Sequence, residues 1–380
     1  MEYKLINNQQ DLQYYVDKIK KSKYIAVDTE FLRIRTYYPE LCLIQICYEK
    51  GHAIVIDALA GLDIKGILDI LYDDNIIKIF HSPRQDIEIF YHMTGKIPQN
   101  IFDTQVAVMA LNQQKDLSYE KLVKIFLNKD LDKALKTSNW QKRPLSNAQV
   151  AYAAADVLYL FEAYEVIYAE LSKNNKLEWL KGMFNYYLNP LTYEASIEKQ
   201  AQKIITYHFN QSEVNLCLEL LRWRDTLAKK LNVARGMLVS NDNIKAIVTK
   251  HVILKEDLLN FLDENIYNDY ADDIFEIILN QNNQIIEDSS DKKPTDINDK
   301  QQEILTLCQM VLKYVAQDLS TNQILIATDE ELVNFILNPS SSSSLLKDWK
   351  YDVLGKHLQA FLLGETSLVI EDGRPKLKSM

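Results

Sequence analysis

Apolar positions along this chain follow two rhythms. Short runs rich in β-branched and aromatic residues fall at 24–31, 41–48, 53–57 and 76–80, and helical spacing takes over at 64–72, 84–93, 104–111, 118–127 and 147–170. Strand side chains repeat every two residues and helical ones every 3.6, so the interleaving predicts an α/β domain. Residues 189–212 break the pattern and read as a linker or short connecting helix. From 213–231 to about 284 the period is helical again, which predicts a compact all-helical unit. Residues 285–300 lose all apolar period and read as a second linker. A further helical region is expected over 301–372, with a loop at the serine run 340–344 after Pro339. Three domains follow, at 1–190, 208–286 and 300–376, and 380 residues are enough to bury that many cores.

Three segments carry candidate chemistry. In the strand from Lys23 to Phe31, Asp28 and Glu30 are two residues apart and share a face. Two anions held that close repel unless a cation sits between them. The stretch from Ile76 to Asp86 reads as a buried strand followed by a helix start, with Ser82 as N-cap, Pro83 at the first position and Gln85 closing a capping box. Asp86 is thereby expected in a first helical turn. Ser146 is expected to cap a helix in which Tyr152 and Asp156, four apart, lie on one face, with alanines between them that let another element approach. Taken singly, an acid in a first turn is a favourable dipole partner and a Tyr/Asp pair is ordinary packing. The order of the three changes that reading.

Asp-x-Glu on a strand, an Asp at a strand-to-helix junction and Tyr-x-x-x-Asp on a later helix resemble the three motifs of the DEDD 3′–5′ exonucleases. Tyr152 points to their tyrosine subgroup, since the histidine subgroup would have His where Ala151 stands. The stretches 30–46, 101–105 and 140–145 are similar to the bacterial ribonuclease D family, and the chain from Arg222 onward resembles the helical HRDC module, named for helicases and ribonuclease D. The tail beyond 300 looks like a degenerate second copy.

This resemblance implies a ribonuclease H-like α/β fold, a mixed sheet flanked by helices, followed by all-α HRDC-like domains. It implies that Asp28, Glu30, Asp86 and Asp156 hold two divalent cations, Mg2+ or Mn2+, with Tyr152 orienting the attacking water. The chemistry agrees, because hard cations take oxygen ligands and all four residues are carboxylates. A phenol with an ordinary pKa near 10 is a poor base at neutral pH, so Tyr152 is assigned to positioning. The implied activity is stepwise 3′ trimming of RNA with release of nucleoside 5′-monophosphates, transfer-RNA precursors being the expected substrate. Two rival readings are a DNA 3′–5′ exonuclease of the same superfamily and a non-catalytic RNA-binding scaffold. The order of exonuclease then HRDC, and the lack of a helicase phosphate loop, favour RNA.

Weaker substrate expectations attach to Phe31, Tyr37 and Tyr38 as stacking platforms, and to Arg33, Arg35, Lys142 and Arg143 as phosphate contacts. His81 lies close enough in sequence to Asp86 to reach the site, Asp103 is expected to cap helix 104–111, and Trp140 to be packed.

Charge narrows the nucleic-acid surface. The net charge is −10, yet residues 1–190 hold 23 basic and 24 acidic residues, while 191–380 hold 20 and 29. Stretches 115–143 (net +4) and 222–250 (net +5) are the candidate phosphate-facing patches, the second with Arg222, Arg224, Lys229 and Lys230. Stretch 256–299, net −11, is excluded as such a surface. No apolar run is long enough for a membrane span, and no export signal is read at the N-terminus, so a cytoplasmic monomer is expected. The four cysteines, Cys42, Cys47, Cys217 and Cys308, are read as reduced and mostly buried.

Overall fold

Isoleucine, valine and leucine alternate with smaller or polar residues along the strands, and this two-residue period gives the sheet two faces with separate cores. The computed structural model describes residues 2–111, 115–131, 135, 138–180, 182–194, 196–250, 252–283, 297–338, 343–371 and 373–380. In chain order the first half runs β1 (Glu2–Ile6), α1 (Gln9–Ile19), β2 (Tyr24–Leu32), β3 (Glu40–Glu49), β4 (His52–Asp57), α2 (Lys65–Leu71), β5 (Ile77–Phe80) and α3 (Arg84–Thr94). It continues with β6 (Ile101–Asp103), α4 (Thr104–Met109), α5 (Tyr119–Leu127) and α6 (Asn147–Lys173). The sheet order is β1-β4-β3-β2-β5-β6. It is mixed, with β2–β3–β4 antiparallel and the outer pairs β1–β4, β2–β5 and β5–β6 parallel.

On one face Ile25, Val27, Ile44, Ile46, Ile54 and Ile56 pack against α1, α2 and α3. On the other, Ala26, Leu43, Cys47 and Val55 pack against Ala153, Ala154, Val157 and Phe161 of α6. Helix α6 starts where expected, with Ser146 and Gln149 forming a reciprocal capping box. At α3 the expectation for Ser82 is corrected. Its φ is +59° and its N–H donates to Asp103 Oδ1 at 2.9 Å, while Pro83 takes the capping position without a side-chain bond. The turn wraps around the Asp103 carboxylate, a partner 21 residues away that local spacing cannot show. Asp103 also accepts from Gln105 N and so caps α4.

Elements β1 and α1 are not distinguished by apolar rhythm, because β1 is short and mostly exposed and gains its order by pairing with β4. The stretch 189–212 contains a single turn, Pro190–Tyr193, and a helix, Ile197–Ala201, both contributing buried side chains. Beyond the sheet domain, one helical core spans Ala201 to Ile278 and another Leu305 to Leu358. The expected helical region 301–372 is corrected at its end, where Thr366–Glu371 and Arg374–Ser379 form an antiparallel hairpin. Most of the linker read at 285–300 and the start of the serine run lie outside the described residues. No helix among the described residues is long and apolar enough to cross a membrane.

Both helical units are tied to the sheet domain by polar contacts. Lys176, just beyond α6, is buried and its ammonium donates to the carbonyls of Ala110, Leu319 and Ser320 and to Thr321 Oγ1, at 2.7 to 3.1 Å. Trp179 and Trp349 stack across the same junction, centroids 5.4 Å apart. On the other side, Asn232 and Ala234 bond the backbone of Tyr38 and Arg35 in the loop after β2.

Lys78, on β5 beside the edge strand β6, is fully buried and folds its ammonium back onto the carbonyls of Asp73 and Ile76. Burial lowers its pKa to about 8 from an ordinary 10.5. The folded protein therefore holds this proton less tightly than the unfolded chain, and the penalty is full below about pH 8 and fades toward pH 10.5. The Tm difference between Lys78→Met and the wild type should accordingly shift in favour of the wild type as pH is raised from roughly 7.5 to 10. A pH-independent difference in thermal melts would contradict this.

Candidate functional site

Register fixes where the acids point. Ala26 belongs to the core under α6 and Ile25 and Val27 to the opposite one, so Asp28 and Glu30 continue the α6 face while Thr29 alternates to the α3 face. A bulge in the β2–β3 ladder follows at once, Glu30 facing Leu43 and Phe31 facing Leu41. It leaves Cys42 unpaired in the ladder, and its carbonyl is taken by Ala58 N–H and Arg143.

A cavity of about 240 Å³ opens at this end of β2. Asp28, Glu30, Tyr152 and Asp156 line it, together with His81, Tyr119, Glu120 and Thr29. Asp86 does not line it. It is buried in the first turn of α3, and the Thr29 hydroxyl donates to its Oδ1. The four acids thus approach the strand end from both faces of the sheet, Asp28, Glu30 and Asp156 on the α6 side and Asp86 through Thr29 on the α3 side.

Their proximity shows in their protonation. Burial, then the charges of Asp86, Asp156 and Glu30, raise Asp28 well above the usual carboxylate range. Glu30 is pushed up to about 9 by burial and by Asp156 and Asp86. Asp86 rises to about 6, burial outweighing the Thr29 hydroxyl and backbone N–H groups that favour its ionised form. A site where each acid opposes the ionisation of the next is one where a cation is worth most, since it turns each of those repulsions into an attraction. The donor set is oxygen only, which suits a hard divalent ion. Among the described residues no group of three acids, histidines or cysteines is closed into a chelate.

Tyr152 packs beside buried Trp140, ring centroids 6.1 Å apart, as expected for a packed tryptophan. Burial and the charges of Asp156, Glu30 and Asp28 lift its pKa further above the ordinary phenol value, so at neutral pH it is a hydrogen-bond donor. His81 lies at the cavity wall with both ring nitrogens engaged, Nδ1 with Thr104 Oγ1 at 2.9 Å and Nε2 with the Leu117 carbonyl at 2.8 Å. Burial lowers its pKa. This is a structural histidine that forms a wall.

Two further residues of the site give no sign in the sequence. The Tyr119 hydroxyl donates to the carbonyls of Ala155 and Asp156, locking α5 onto the turn of α6 that carries Asp156. Glu120 adds a fifth acid to the site, on the cavity wall. Both depend on how α5 crosses α6, which leaves no local signal.

Several residues expected to contact substrate have partners within the protein, and Tyr37 and Arg224 are buried. Tyr37 is buried, its hydroxyl donates to Asp225 Oδ1 at 3.0 Å and accepts from Arg235 Nη2 at 2.6 Å, and the Arg235 guanidinium covers its ring at 4.3 Å. No face is left for a base. Tyr38 packs against His92, ring centroids 4.5 Å apart and tilted by 54°, and Phe31 is half-buried on the α3 side. Arg33 stays exposed, with its guanidinium paired to buried Glu88 at 2.6 Å and bonded to the Tyr37 carbonyl. Arg224 is buried and bonds Val239 O and Asn241, and Lys229 pairs with Asp225 at 3.0 Å. Arg143 clamps Asp57 through two bonds at 2.7 and 2.6 Å. Arg35, Lys142 and Lys230 remain exposed, as does Arg222 beside Glu219.

The signature of a 3′–5′ exonuclease family matches residues 3–174 and that of the HRDC domain residues 214–278. Ribonuclease D of Zymomonas mobilis is 30% identical over 383 residues, covering 97% of this chain and 96% of its own. Ribonuclease D of Sphingobium indicum is 28% identical, covering 98% of each. The crystal structure of Escherichia coli RNase D, described as an exoribonuclease involved in structured RNA processing, shares the fold with a TM-score of 0.77 at 22% identity, covering 96% of this chain and 99% of that one.

The Arg143–Asp57 clamp predicts a clean separation of roles. Removing one partner of a buried pair costs roughly 3–5 kcal/mol, and the remaining solvent contact of Arg143 reduces this to about 2. Arg143→Met should therefore lower stability in urea titrations by that amount while leaving the salt dependence of RNA binding unchanged. A reduced salt slope without loss of stability would restore Arg143 as a phosphate contact.

Proposed function

The chain belongs to the ribonuclease D family of 3′–5′ exoribonucleases, and from that premise we propose that it trims 3′ extensions of transfer-RNA precursors, releasing nucleoside 5′-monophosphates at a site holding two divalent ions. The observation that carries this reading is the convergence of Asp28, Glu30, Asp156 and Tyr152 on one cavity, with Asp86 acting on the same carboxylates from behind Thr29.

In this reading Asp28, Glu30, Asp86 and Asp156 hold the ions. A pair of Mg2+ or Mn2+ ions, when bound, supplies the positive charge that activates water and stabilises the departing 3′ oxygen. The protein's own share is geometric. Tyr152, protonated and steadied by Trp140, directs its hydroxyl at the attacking water. Tyr119 holds the backbone carbonyls of Ala155 and Asp156, so that the Asp156 carboxylate keeps its bearing. His81 closes one wall without exchanging protons, since both its nitrogens are occupied. Arg35, Lys142, Arg222 and Lys230, and Arg33 beside Glu88, are the exposed cations among the residues singled out above for guiding the phosphate backbone.

Asp28→Asn and Asp156→Asn should each reduce mononucleotide release from a 3′-extended transfer RNA by on the order of 10³-fold or more, as removal of a unit-acting group does. The melting temperature should not fall, because asparagine keeps the shape of the side chain and relieves the crowding of acids. A chelator should abolish wild-type activity, and a blocked 3′ end should be inert. Undiminished activity in either variant would refute the assignment, and faster decay of a matched DNA strand would refute the substrate class.

Arg222→Ala combined with Lys230→Ala should weaken RNA binding and flatten the plot of log affinity against log salt by about 1.4, at roughly 0.7 per phosphate contact on a single strand. An unchanged slope would make this helical unit a structural element.

A further inference from the structure

Gln45 sits in the middle of β3, wholly buried, and neither its Nε2 nor its Oε1 has a hydrogen-bond partner among the described residues. An unpaired buried amide is destabilising, a penalty that a methionine or leucine of similar volume would not incur. The position is specific. Gln45 faces Asp28 directly across the antiparallel β2–β3 ladder and Val55 across the β3–β4 ladder. Residues paired this way leave the same face of the sheet, with Cβ atoms roughly 4.5–5.5 Å apart. Two methylenes are enough to carry an amide across that gap.

Its other neighbours offer nothing comparable. Leu43 and Cys47 precede and follow it on the same face, and Ala153, Ala154 and Val157 of α6 belong to the core that covers it. The Cys47 thiol already donates to the Glu49 carbonyl. Among the described residues that pair with it, Asp28 alone brings a side-chain acceptor, and a carboxylate has about four lone-pair sites to fill.

We infer that Gln45 is a positioning residue for Asp28: its amide, unpartnered in this structure, stands across the ladder from Asp28, and a turn of the side chain that brings its N–H onto the Asp28 carboxylate would set the direction in which that carboxylate presents its free oxygen to a cation. Partners of this kind, one shell out from a metal, typically change metal affinity or activity about 10–100-fold when removed. The inference rests on the reading of Asp28 as a ligand, and its test separates the two.

The test compares Gln45→Met and Gln45→Leu, which differ in shape and share the loss of polarity, with Asp28→Asn. Mn2+ is titrated calorimetrically into each full-length protein with 5′-CMP present, and kcat and KM are measured on an RNA oligonucleotide. Both Gln45 variants are expected to melt no lower than the wild type, to bind Mn2+ about 10–100-fold more weakly, and to lose kcat with KM unchanged. Raising Mn2+ should restore part of the kcat. Wild-type Mn2+ affinity in a folded Gln45→Met protein, or a loss that follows a drop in melting temperature and differs between the two variants, would overturn the inference and leave Gln45 a packing residue. If Asp28→Asn itself bound Mn2+ normally, the ligand reading would fail first.

Discussion

Repulsion among carboxylates is the constraint this structure is built around. Asp28, Glu30, Asp86 and Asp156 come from three elements and oppose one another's ionisation in a poorly hydrated place, where charges interact far more strongly than in water. Such a group does not assemble for its own stability, so the surrounding scaffold has to hold it. Hydrophobic burial on both faces of the sheet supplies the rigidity. Ala153 and Ala154 let α6 lie close to the sheet, the Ser146–Gln149 box anchors the start of that helix, and Tyr119 pins the turn carrying Asp156. The Thr29 hydroxyl does the same for Asp86.

The loop that leaves the acidic end of β2 is held as firmly. Arg33 reaches Glu88 on the helix carrying Asp86, and Tyr37 is enclosed by Asp225 and Arg235 of the helical unit. That unit therefore bears on the strand of Asp28 and Glu30 through a continuous set of contacts. It also explains why a basic, aromatic segment is poor evidence for a binding surface. The same guanidinium and phenol groups that suit phosphates and bases suit buried ion pairs and ring stacking, and here Arg33, Tyr37, Arg143, Arg224 and Lys229 are used in that way. The buried ammonium of Lys176 ties down the last helical unit similarly, with backbone carbonyls as its partners.

The fold is legible in the sequence where one element carries its own signal. The two-residue spacing of Asp28 and Glu30 and the four-residue spacing of Tyr152 and Asp156 are periodicities of a single strand and a single helix, and the caps at Ser146 and Asp103 are short-range bonds. Legibility ends where the partner is distant. Ser82 looks like a cap because the Asp103 side chain that holds it arrives from another strand, and β1 is silent because its order comes from β4. The C-terminal hairpin reads as helix because its pairing, like that of β1, is not written in local period.

What the chain determined by itself was the set of acids, their faces and the elements that carry them, because these follow from backbone geometry that each segment obeys alone. What only the tertiary structure decided was which neighbours those side chains meet: that Asp86 arrives through Thr29, that Tyr119 guards Asp156, that Gln45 stands opposite Asp28, and which arginines are still free to meet a phosphate. The reason is physical. Strand and helix periods are set within a few residues, whereas burial, pairing and electrostatic shifts depend on distances between segments that no local spacing specifies.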